Sequence, residues 1–399
     1  MTPINRRQFI LAAGGCICHA AVGHARWPFF GPSADEKADI QGSIFKNDAP
    51  ATLWKWSKPA TYFQRLDQNA VLCTLCPNRC RLMPGDRSVC RSRVNVDGTL
   101  YTLAYGNACS ANVDPIEKKP LYHFLPTTRA FSIAAAGCNF RCLNCQNWEI
   151  SQVRPEDVRH LDLFPEAVVE SAEQSGCQSI AYTYSEPTTF FEYMVDTATL
   201  AKSRGMNNLW ISNGYINPEP LDALCRVING ANVNLKSISD EIYRRLNGGR
   251  LQPVLNTFVT LHRQGVHFEM THLVVPGYGD SDEMIRRMCG WILENVGPDH
   301  PLHFLRFFPR YRLDRLAPTP VATLIRFREL AMAEGIHYVY LGNVPGDAGN
   351  HTYCHHCKRL LVERQGYHVP TFHIRDGRCR FCQTRIPGVW PSTDKDSTS

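Results

Sequence analysis

From residue 131 onward, short apolar runs alternate with segments that have the periodicity of amphipathic helices. Strands that alternate with helices in this way imply a parallel sheet with right-handed crossovers. The predicted fold class is therefore α/β, with the sheet curled into an open, partial β/α barrel. The predicted strands of this barrel are 131–136, 178–183, 208–212, 231–235, 266–275, 302–307 and 336–341.

Start signals predict where several of the helices begin. Thr189 and Glu192 have the spacing of a capping box. The dipeptide Thr319-Pro320 suits an N-cap residue followed by proline at the first helical position. Asp282 and Glu283 place negative charge where a helix N-terminus favours it.

Each predicted strand ends in, or is followed by, a polar or glycine-containing sequence. In β/α barrels the loops after the carboxyl ends of the strands meet on one face, and that face carries the chemistry. These sequences are therefore expected to converge above the barrel. In chain order they are the cysteine loop 137–148, Tyr184-Ser185-Glu186-Pro187, Ser212-Asn213-Gly214, Lys236-Ser237, Pro276-Gly277, Arg306 and Gly342-Asn343.

The loop after the first strand contains Cys138, Cys142 and Cys145 in a C-x3-C-x2-C pattern. Thiolates bind iron–sulfur clusters and zinc, and a closed structural site normally takes four protein ligands. This loop supplies three, and the nearest histidines, His123 and His160, lie well outside it. A four-iron cluster held by three cysteines keeps one iron open for a small molecule. A zinc knuckle and three ordinary core cysteines are the alternatives for the bare spacing.

Composition narrows the class of protein. A hydrophobic content of 44% and a charged content of 20% over 399 residues are typical of a globular chain, neither disordered nor embedded in a membrane. The net charge of +6 is mild for this length and does not indicate nucleic-acid binding. The 17 cysteines are clustered, which in a long chain favours metal sites over a disulfide framework.

A cysteine-rich N-terminal module is predicted at residues 71–125. Four cysteines at its spacings can close a tetrahedral zinc site or a small iron–sulfur centre, and structural zinc is the favoured interpretation. The predicted ligands are Cys73, Cys76, Cys80 and Cys90, with Cys109 as a substitute for one of them.

A second small module is predicted at residues 349–390, after a barrel domain at 126–348. Its C-x2-C-x21-C-x2-C pattern is typical of a zinc ribbon, in which one tetrahedral ion holds two knuckles. The predicted ligands are Cys354, Cys357, Cys379 and Cys382. The alternative is a second redox cluster.

The two ends of the chain are expected to lie outside these domains. Residues 1–25 resemble a twin-arginine export leader, because Arg6-Arg7 precedes an apolar run that is too short to span a bilayer. Residues 26–70 are predicted to be a linker and 391–399 a disordered tail. The predicted location is either the periplasm, after cofactor loading in the cytoplasm, or the cytoplasm.

The spacing of the three-cysteine loop resembles the signature of the radical S-adenosylmethionine (SAM) superfamily. More specifically, segments 114–124, 138–148, 182–193 and 341–346, together with the terminal ribbon, look like the AmmeMemoRadiSam-system radical SAM enzymes. Those enzymes are related to the pyruvate formate-lyase activating enzymes. The resemblance covers roughly residues 70–390 and implies a partial barrel, a 4Fe–4S cluster and SAM. In that family an electron from the cluster cleaves SAM to a 5′-deoxyadenosyl radical, which abstracts a hydrogen atom.

The resemblance also implies roles for residues at the strand ends. Glu186 would accept a hydrogen bond from the amino group of SAM, although it also suits a simple helix N-terminal charge. Ser212 and Asn213 match the region that contacts the ribose and carboxylate of SAM. Lys236 would hold the SAM carboxylate or a substrate acid, unless it is simply solvated. Asn144 departs from the family pattern, which has an aromatic residue there, so Phe140 or Trp148 would have to complete the adenine pocket.

The predicted function is thus that of a radical SAM oxidoreductase, similar to an activating enzyme, acting on a glycine of a protein or on a small molecule. The alternative is a non-catalytic iron–sulfur electron-transfer protein. Expected partners are a low-potential electron donor such as a ferredoxin or flavodoxin, and companion proteins of the same system. No nucleic acid and no membrane span are expected.

Overall fold

The computed structural model describes residues 53–344, 346 and 348–391. The predicted leader and all of the predicted tail except Pro391 lie outside these residues. The N-terminal part of the described chain forms short antiparallel strands. They are β1 (Lys58–Pro59), β2 (Phe63–Arg65), β3 (Val71–Cys73), β4 (Arg81–Leu82), β5 (Arg93–Val96), β6 (Thr99–Thr102) and β7 (Asn107–Ala108).

Most of the following strands belong to one large sheet. They are β8 (Ser110–Pro115), β9 (Arg129–Ala134), β10 (Leu161–Asp162), β11 (Ser179–Tyr182), β12 (Asn207–Ser212), β13 (Gly230–Asn234), β14 (His267–Val274), β15 (Leu302–Arg306) and β16 (Val339–Gly342). The sheet has eight strands in the order β16-β15-β14-β13-β12-β11-β9-β8, and β10 pairs with β7 instead. All seven predicted barrel strands are therefore confirmed, each shifted by a few residues at most.

The pairing of these strands is parallel from β9 to β16, as predicted. An eighth strand, β8, was not predicted and pairs antiparallel with β9. Its sequence has no apolar alternation, because as an edge strand it is only partly covered. The sheet is open among the described residues, with β8 and β16 at its two edges.

Helices follow most strands of the sheet. They are α1 (Trp148–Ser151), α2 (Pro165–Gln174), α3 (Phe191–Ser203), α4 (Pro218–Cys225), α5 (Asp240–Ile242), α6 (Leu251–Arg263), α7 (Asp282–Asn295) and α8 (Val321–Glu334). A π-helical turn, Tyr243–Asn247, continues α5. In α6, Val254, Phe258 and Leu261 share one buried face, as the helical period requires.

Two of the three predicted helix starts are wrong in detail. Helix α3 begins at Phe191 after a 3-10 turn, and Glu192 does not close a capping box because its carboxylate pairs with Arg93 at 2.6 Å. Pro320 is itself the N-cap of α8, and the hydroxyl of Thr319 donates to the carbonyl of Val274 at 2.5 Å. The acidic start of α7 is confirmed.

The C-terminal segment adds a small module of antiparallel strands. They are β17 (Thr352–Tyr353), β18 (Leu360–Gln365), β19 (His368–Phe372), β20 (Ile374–Arg375) and β21 (Arg378–Cys379). Leu361 and Val362 pack with Tyr340 of the last barrel strand in one buried cluster. The guanidinium of Arg364 donates to the carbonyl of Tyr122 at 2.9 Å. The module is therefore joined to the barrel by both apolar and polar contacts.

The described part of the predicted linker carries structure. Residues 53–70 include β1 and β2, and Trp56 is buried against Val94 and Leu103. The structured N-terminal segment therefore begins before residue 71. Within the described ranges, no helix combines the length and the apolar character needed to span a bilayer.

Candidate active site above the sheet

A cleft of about 530 Å³ lies above the carboxyl ends of the parallel strands. Its volume falls within the range of small-molecule sites in proteins. Polar side chains from the loops after β9, β11, β12, β13 and β16 converge on it, as predicted. The lining includes Cys138, Cys142, Asn144, Cys145, Tyr184, Glu186, Ser212, Asn213, Asn234, Lys236 and Asn343, together with Lys118, Lys119 and Phe140.

Two of the seven predicted strand-end sequences contribute no residue to this lining. Gly277 lies outside it, and Arg306 turns away so that its Nε donates to the carbonyl of Thr319 at 2.8 Å. Trp148 is also outside the lining and stacks on Tyr311 with ring centroids 5.3 Å apart. Of the two aromatic residues considered for an adenine pocket, only Phe140 contacts the cleft.

The three cysteines of the loop face the cleft and receive hydrogen bonds at sulfur. Nδ2 of Asn247 lies 3.2 Å from Sγ of Cys142, and the backbone N–H of Phe140 donates to Sγ of Cys138 at 3.4 Å. Burial raises the pKa of the Cys145 thiol to about 11. Because this thiol resists ionisation, loading of a metal here must displace its proton.

The spacing of these sulfurs separates zinc from a larger cluster. Four sulfurs at 2.3 Å from a tetrahedral zinc lie about 3.8 Å apart. The Sγ atoms of Cys138, Cys142 and Cys145 do not all lie within 4.8 Å of one another. The three thiols are therefore spaced more widely than the ligands of a single zinc ion.

The cysteine loop is held in place by the π-helical turn. The backbone N–H groups of Arg141 and Leu143 donate to carbonyls of Asn247 and Leu246 at 2.8 and 2.9 Å. A Cβ atom at Gly249 would approach the ring of Phe140 to 2.2 Å, so only glycine allows the loop to pack this closely. Sequence reasoning missed this support. Its only signal was the Asn247-Gly248-Gly249 turn.

Glu186 is the polar centre of the cleft wall. Its Oε1 accepts hydrogen bonds from the hydroxyl of Ser212 at 2.7 Å and from the backbone N–H of Thr188 at 3.0 Å, and its Oε2 accepts from the N–H of Asn213 at 2.8 Å. Burial raises the pKa of this carboxyl despite these donors. Oε2 accepts only one of these hydrogen bonds and so keeps a further acceptor position.

Comparison with known proteins assigns this region. The family model of the radical SAM superfamily matches residues 132–292. The chain contains a radical SAM domain. It is 42% identical over 331 residues to an uncharacterized protein of Methanocaldococcus jannaschii, covering 82% of this chain and 98% of the archaeal one, and it belongs to the same family as that protein.

More distant relatives of the chain are also found. The pyruvate formate-lyase 1-activating enzyme of Escherichia coli is 26% identical over 210 residues, which are 48% of this chain and 84% of that enzyme. A solved radical SAM methyltransferase from Sphaerobacter thermophilus aligns with a TM-score of 0.43 at 12% identity, over 72% of this chain and 77% of the other.

Within the radical SAM domain, Asn213 is occupied by contacts inside the protein. Its Nδ2 donates to Oδ1 of Asn139 at 2.8 Å, and its Oδ1 accepts from the N–H of Tyr215 at 2.8 Å. Asn139 in turn donates to the carbonyl of Tyr215 at 2.7 Å. The side chain of Asn213 thus ties the end of β12 to the cysteine loop, beside Cys138.

Lys236 also lines the cleft. Its Nζ lies 3.4 Å from Oδ1 of Asn234, whose own Nδ2 donates to the carbonyl of Ser212 at 3.1 Å. Lys236 is half-buried, and among the described residues no carboxylate forms an ion pair with it within 4 Å. Its charge is therefore available to an anion in the cleft.

A second basic group at the cleft rim was missed by sequence reasoning. The carboxylate of Asp114 accepts from Nζ of Lys118 at 2.8 Å, from Nζ of Lys119 at 2.5 Å and from the hydroxyl of Tyr184. Burial lowers the pKa of Lys119 to about 8. The run 114–119 was part of the family resemblance but had no physical explanation, because only β8 brings it next to the cleft.

The four C-terminal cysteines form a compact group. Their sulfurs all lie within 4.8 Å of one another, with 3.6 Å between Cys354 and Cys382 and 3.7 Å between Cys357 and Cys379. These spacings fit four thiolates around one tetrahedral ion. His355 is not needed as a ligand, and its Nδ1 instead lies 2.8 Å from the hydroxyl of Tyr338.

The four N-terminal cysteines also come together. Cys73, Cys76, Cys80 and Cys90 line one cavity, and Cys109 is not among the residues that line it. Cys109 instead lies at the edge of the main sheet, where its backbone N–H donates to the carbonyl of Ala134 at 2.7 Å. The structure therefore favours the first set of four over any set that includes Cys109.

Proposed function

We propose that the protein is a SAM-cleaving radical enzyme that abstracts hydrogen from a protein or small-molecule substrate. Cys138, Cys142 and Cys145 would hold a 4Fe–4S cluster with one open iron. When bound, the cluster supplies the electron that splits the sulfonium of SAM to a 5′-deoxyadenosyl radical. The observation that carries this proposal is the convergence of three widely spaced thiols and the Glu186 carboxylate on one cleft of small-molecule size.

The protein's own groups would prepare the site for this chemistry. The amide of Asn247 and the backbone N–H of Phe140 are aimed at sulfur and would stabilise thiolate charge. Asn213 and Asn139 would fix the position of the loop on the sheet. These hydrogen bonds lie between buried or half-buried groups, so they would orient the ligands before any cofactor binds.

Glu186 would orient SAM by accepting a hydrogen bond from its amino group. The four donors already around this carboxylate stabilise its ionised form, and an added ammonium group would stabilise it further. Ser212 would act through Glu186 as well as by contact with the ribose. Asn213 would act mainly by its backbone N–H, because its side chain is used elsewhere.

The charge of the cleft favours an acidic group in the bound molecules. Lys236 would bind the carboxylate of SAM or of a substrate, since no acidic partner neutralises it within the described residues. Lys118 and Lys119 lie at the rim beside Tyr184 and add positive charge, only part of which Asp114 offsets. A protein substrate would enter by this rim. A low-potential donor such as a ferredoxin or flavodoxin would supply the electron.

The decisive test is anaerobic reconstitution with iron and sulfide, followed by incubation with SAM and dithionite. We expect 5′-deoxyadenosine and methionine to form, and the Cys138/Cys142/Cys145→Ala variant to form neither. Equal product from both proteins would exclude this site. An intact cluster that never cleaves SAM would instead favour the alternative function, a non-catalytic electron carrier.

A further inference from the structure

The N-terminal cavity lined by Cys73, Cys76, Cys80 and Cys90 has features that a structural zinc site does not explain. No three of these sulfurs lie within 4.8 Å of one another, unlike the four C-terminal sulfurs, which all do. The N-terminal set therefore resembles the three-cysteine loop in its spacing.

A buried cation also lines this cavity. Arg93 is fully buried, and two of its nitrogens donate to the carboxylate of Glu192 at 3.1 and 2.6 Å. Its third nitrogen, Nε, is buried and has no hydrogen-bond partner among the described residues. A buried N–H group without an acceptor lowers the stability of the fold. An anionic metal centre bound by the four thiolates would supply the missing acceptor.

Hydroxyl groups lie close to one of the sulfurs. The Oγ atoms of Ser88 and Ser92 lie 3.0 and 3.3 Å from Sγ of Cys90, and both serines are buried. Hydrogen bonds to cysteine sulfur are among the features that set the reduction potential of iron–sulfur clusters. The site thus offers four thiolates, two hydroxyls and an unpaired guanidinium N–H.

The cavity adjoins the three-cysteine loop directly. Asn139, the residue after Cys138, is part of its lining. Nδ2 of Asn78 donates to the carbonyl of Asn139 at 2.8 Å. A Cβ atom at Gly137 would approach the carbonyl oxygen of Cys90 to 2.6 Å, so the two loops touch at their backbones. The hydrogen bond between Asn78 and Asn139, together with the adjoining covalent bonds of each loop, therefore connects the two sets of cysteines.

We infer that Cys73, Cys76, Cys80 and Cys90 bind a second iron–sulfur cluster, which passes electrons to the cluster of the radical SAM loop. In each transfer a low-potential one-electron donor protein is oxidised and the N-terminal cluster is reduced. That cluster is then reoxidised as it reduces the neighbouring one. The metal site stands on the N-terminal residues alone, whereas the relay also rests on the proposed radical SAM function.

The donor would approach from the side of Cys80, which is only half-buried. Arg79 and Arg81 flank it in the sequence and are exposed, and Arg141 of the other cysteine loop is exposed nearby. Positive charge at this point favours an acidic donor protein, because complementary charges speed association. This basic edge and the cleft that would take SAM are different surfaces of the same loop pair.

Metal analysis of the full-length protein tests the site. Wild type, the Cys138/Cys142/Cys145→Ala variant and a Cys73/Cys76→Ser variant would be reconstituted anaerobically, and iron, sulfide and zinc counted per chain. We expect about eight irons in wild type and about four in each variant, since each cubane holds four. The reduced electron paramagnetic resonance signal should respond to SAM in the Cys73/Cys76→Ser protein and stay unchanged by SAM in the triple variant.

Two outcomes would overturn the site. A triple variant that holds zinc at the N-terminal cysteines and no iron would show a structural zinc site. Iron that is lost completely in the triple variant would show that wild type carries one cluster. Neither reading depends on SAM cleavage, nor on whether the Cys73/Cys76→Ser protein folds, because the triple variant keeps all four N-terminal ligands.

The relay has a separate test. With a reduced flavodoxin or ferredoxin as donor, the Cys73/Cys76→Ser protein should lose most of its SAM cleavage, while dithionite should still support it. Arg79→Glu/Arg81→Glu, which leaves every cysteine in place, should slow only the reaction with the protein donor. Equal loss with both reductants would refute the relay while leaving the metal site standing.

Discussion

Replacing Glu186 by glutamine tests the assignment of the SAM site, because the two side chains have nearly the same size. The carboxylate accepts from Thr188 and Ser212 at one oxygen and from the N–H of Asn213 at the other. A glutamine amide has only one oxygen. In either orientation its NH2 group therefore faces a backbone N–H.

The size of the effect follows from these contacts. Leaving one buried N–H without an acceptor costs about 1–3 kcal/mol of folding stability. Hydrogen bonds to a charged group contribute about 1.5–3 kcal/mol. Loss of that bond to the SAM amino group should therefore weaken SAM binding roughly 10- to 100-fold, at 1.4 kcal/mol per factor of ten.

The assay is equilibrium binding of SAM to the anaerobically reconstituted protein, with thermal unfolding measured in parallel. Thr188→Val is the matched control, because it removes a hydroxyl donor 2.6 Å from Glu186 and keeps the negative charge. It should lower stability by about 1 kcal/mol and change SAM affinity far less than Glu186→Gln. If Glu186→Gln lowers stability but leaves SAM affinity unchanged, the carboxylate has a structural role only.

The pH dependence of the same binding reaction has a definite sign. Burial raises the pKa of the free Glu186 carboxyl, and a bound ammonium group favours the ionised form. SAM binding should therefore release a proton, and affinity should rise as the pH rises through the raised pKa of Glu186. The Glu186→Gln variant should lack this proton release, which calorimetry in buffers of different ionisation enthalpy measures.

Three further predictions concern the cysteine loop, a buried carboxylate and the C-terminal module. Gly249→Ala places a Cβ atom 2.2 Å from the ring of Phe140. The substitution should therefore lower the free energy of unfolding by about 1–3 kcal/mol and reduce the iron content of the reconstituted protein. Unchanged iron content would show that the cysteine loop adapts. The carboxylate of Glu269 accepts a hydrogen bond from His303 at 2.6 Å. Burial alone would raise the pKa of Glu269, but the hydrogen bonds from neighbouring histidines hold that pKa below its usual range. Its contribution to stability should thus be present above the ordinary pKa of glutamate and be lost only under strongly acidic conditions, as the difference in unfolding between wild type and Glu269→Gln across pH would reveal. Treatment with a chelator, which would remove an ion held by the four C-terminal cysteines, should expose the backbone amides of residues 352–379 to hydrogen exchange and leave the barrel protected. Protection that is the same with and without the chelator would argue against a metal-dependent module.

Much of the barrel was predictable because its strands are buried on both faces. A strand such as β11, which is fully buried, is mostly apolar and is therefore visible as a short apolar run. The edge strand β8 has no such constraint and was missed. Helix starts were less predictable. The carboxylate of Glu192, for example, forms an ion pair with Arg93 instead of a hydrogen bond to the backbone of its own helix.

Chemistry that is local in the chain could be predicted from the sequence alone. The spacing of Cys138, Cys142 and Cys145, and of Cys354 and its three partners, predicts metal binding, because side chains a few residues apart can meet whatever the rest of the fold is. The position of Glu186 at a strand end was predictable for a related reason, since the ends of parallel strands share one face.

Only the tertiary structure decided the contacts between distant parts of the chain. Three features depend on packing between segments that are far apart in the chain. They are the hydrogen bonds of Asp114 to both Lys119 and Tyr184, the hydrogen bond from Asn247 to Cys142, and the distances between sulfurs in each cysteine cluster. Such contacts follow from how strands pair and loops fold over them, and no local sequence pattern encodes them. Spacing along the chain thus predicts candidate ligands, and packing sets the distances between their sulfurs and the neighbouring groups that they contact.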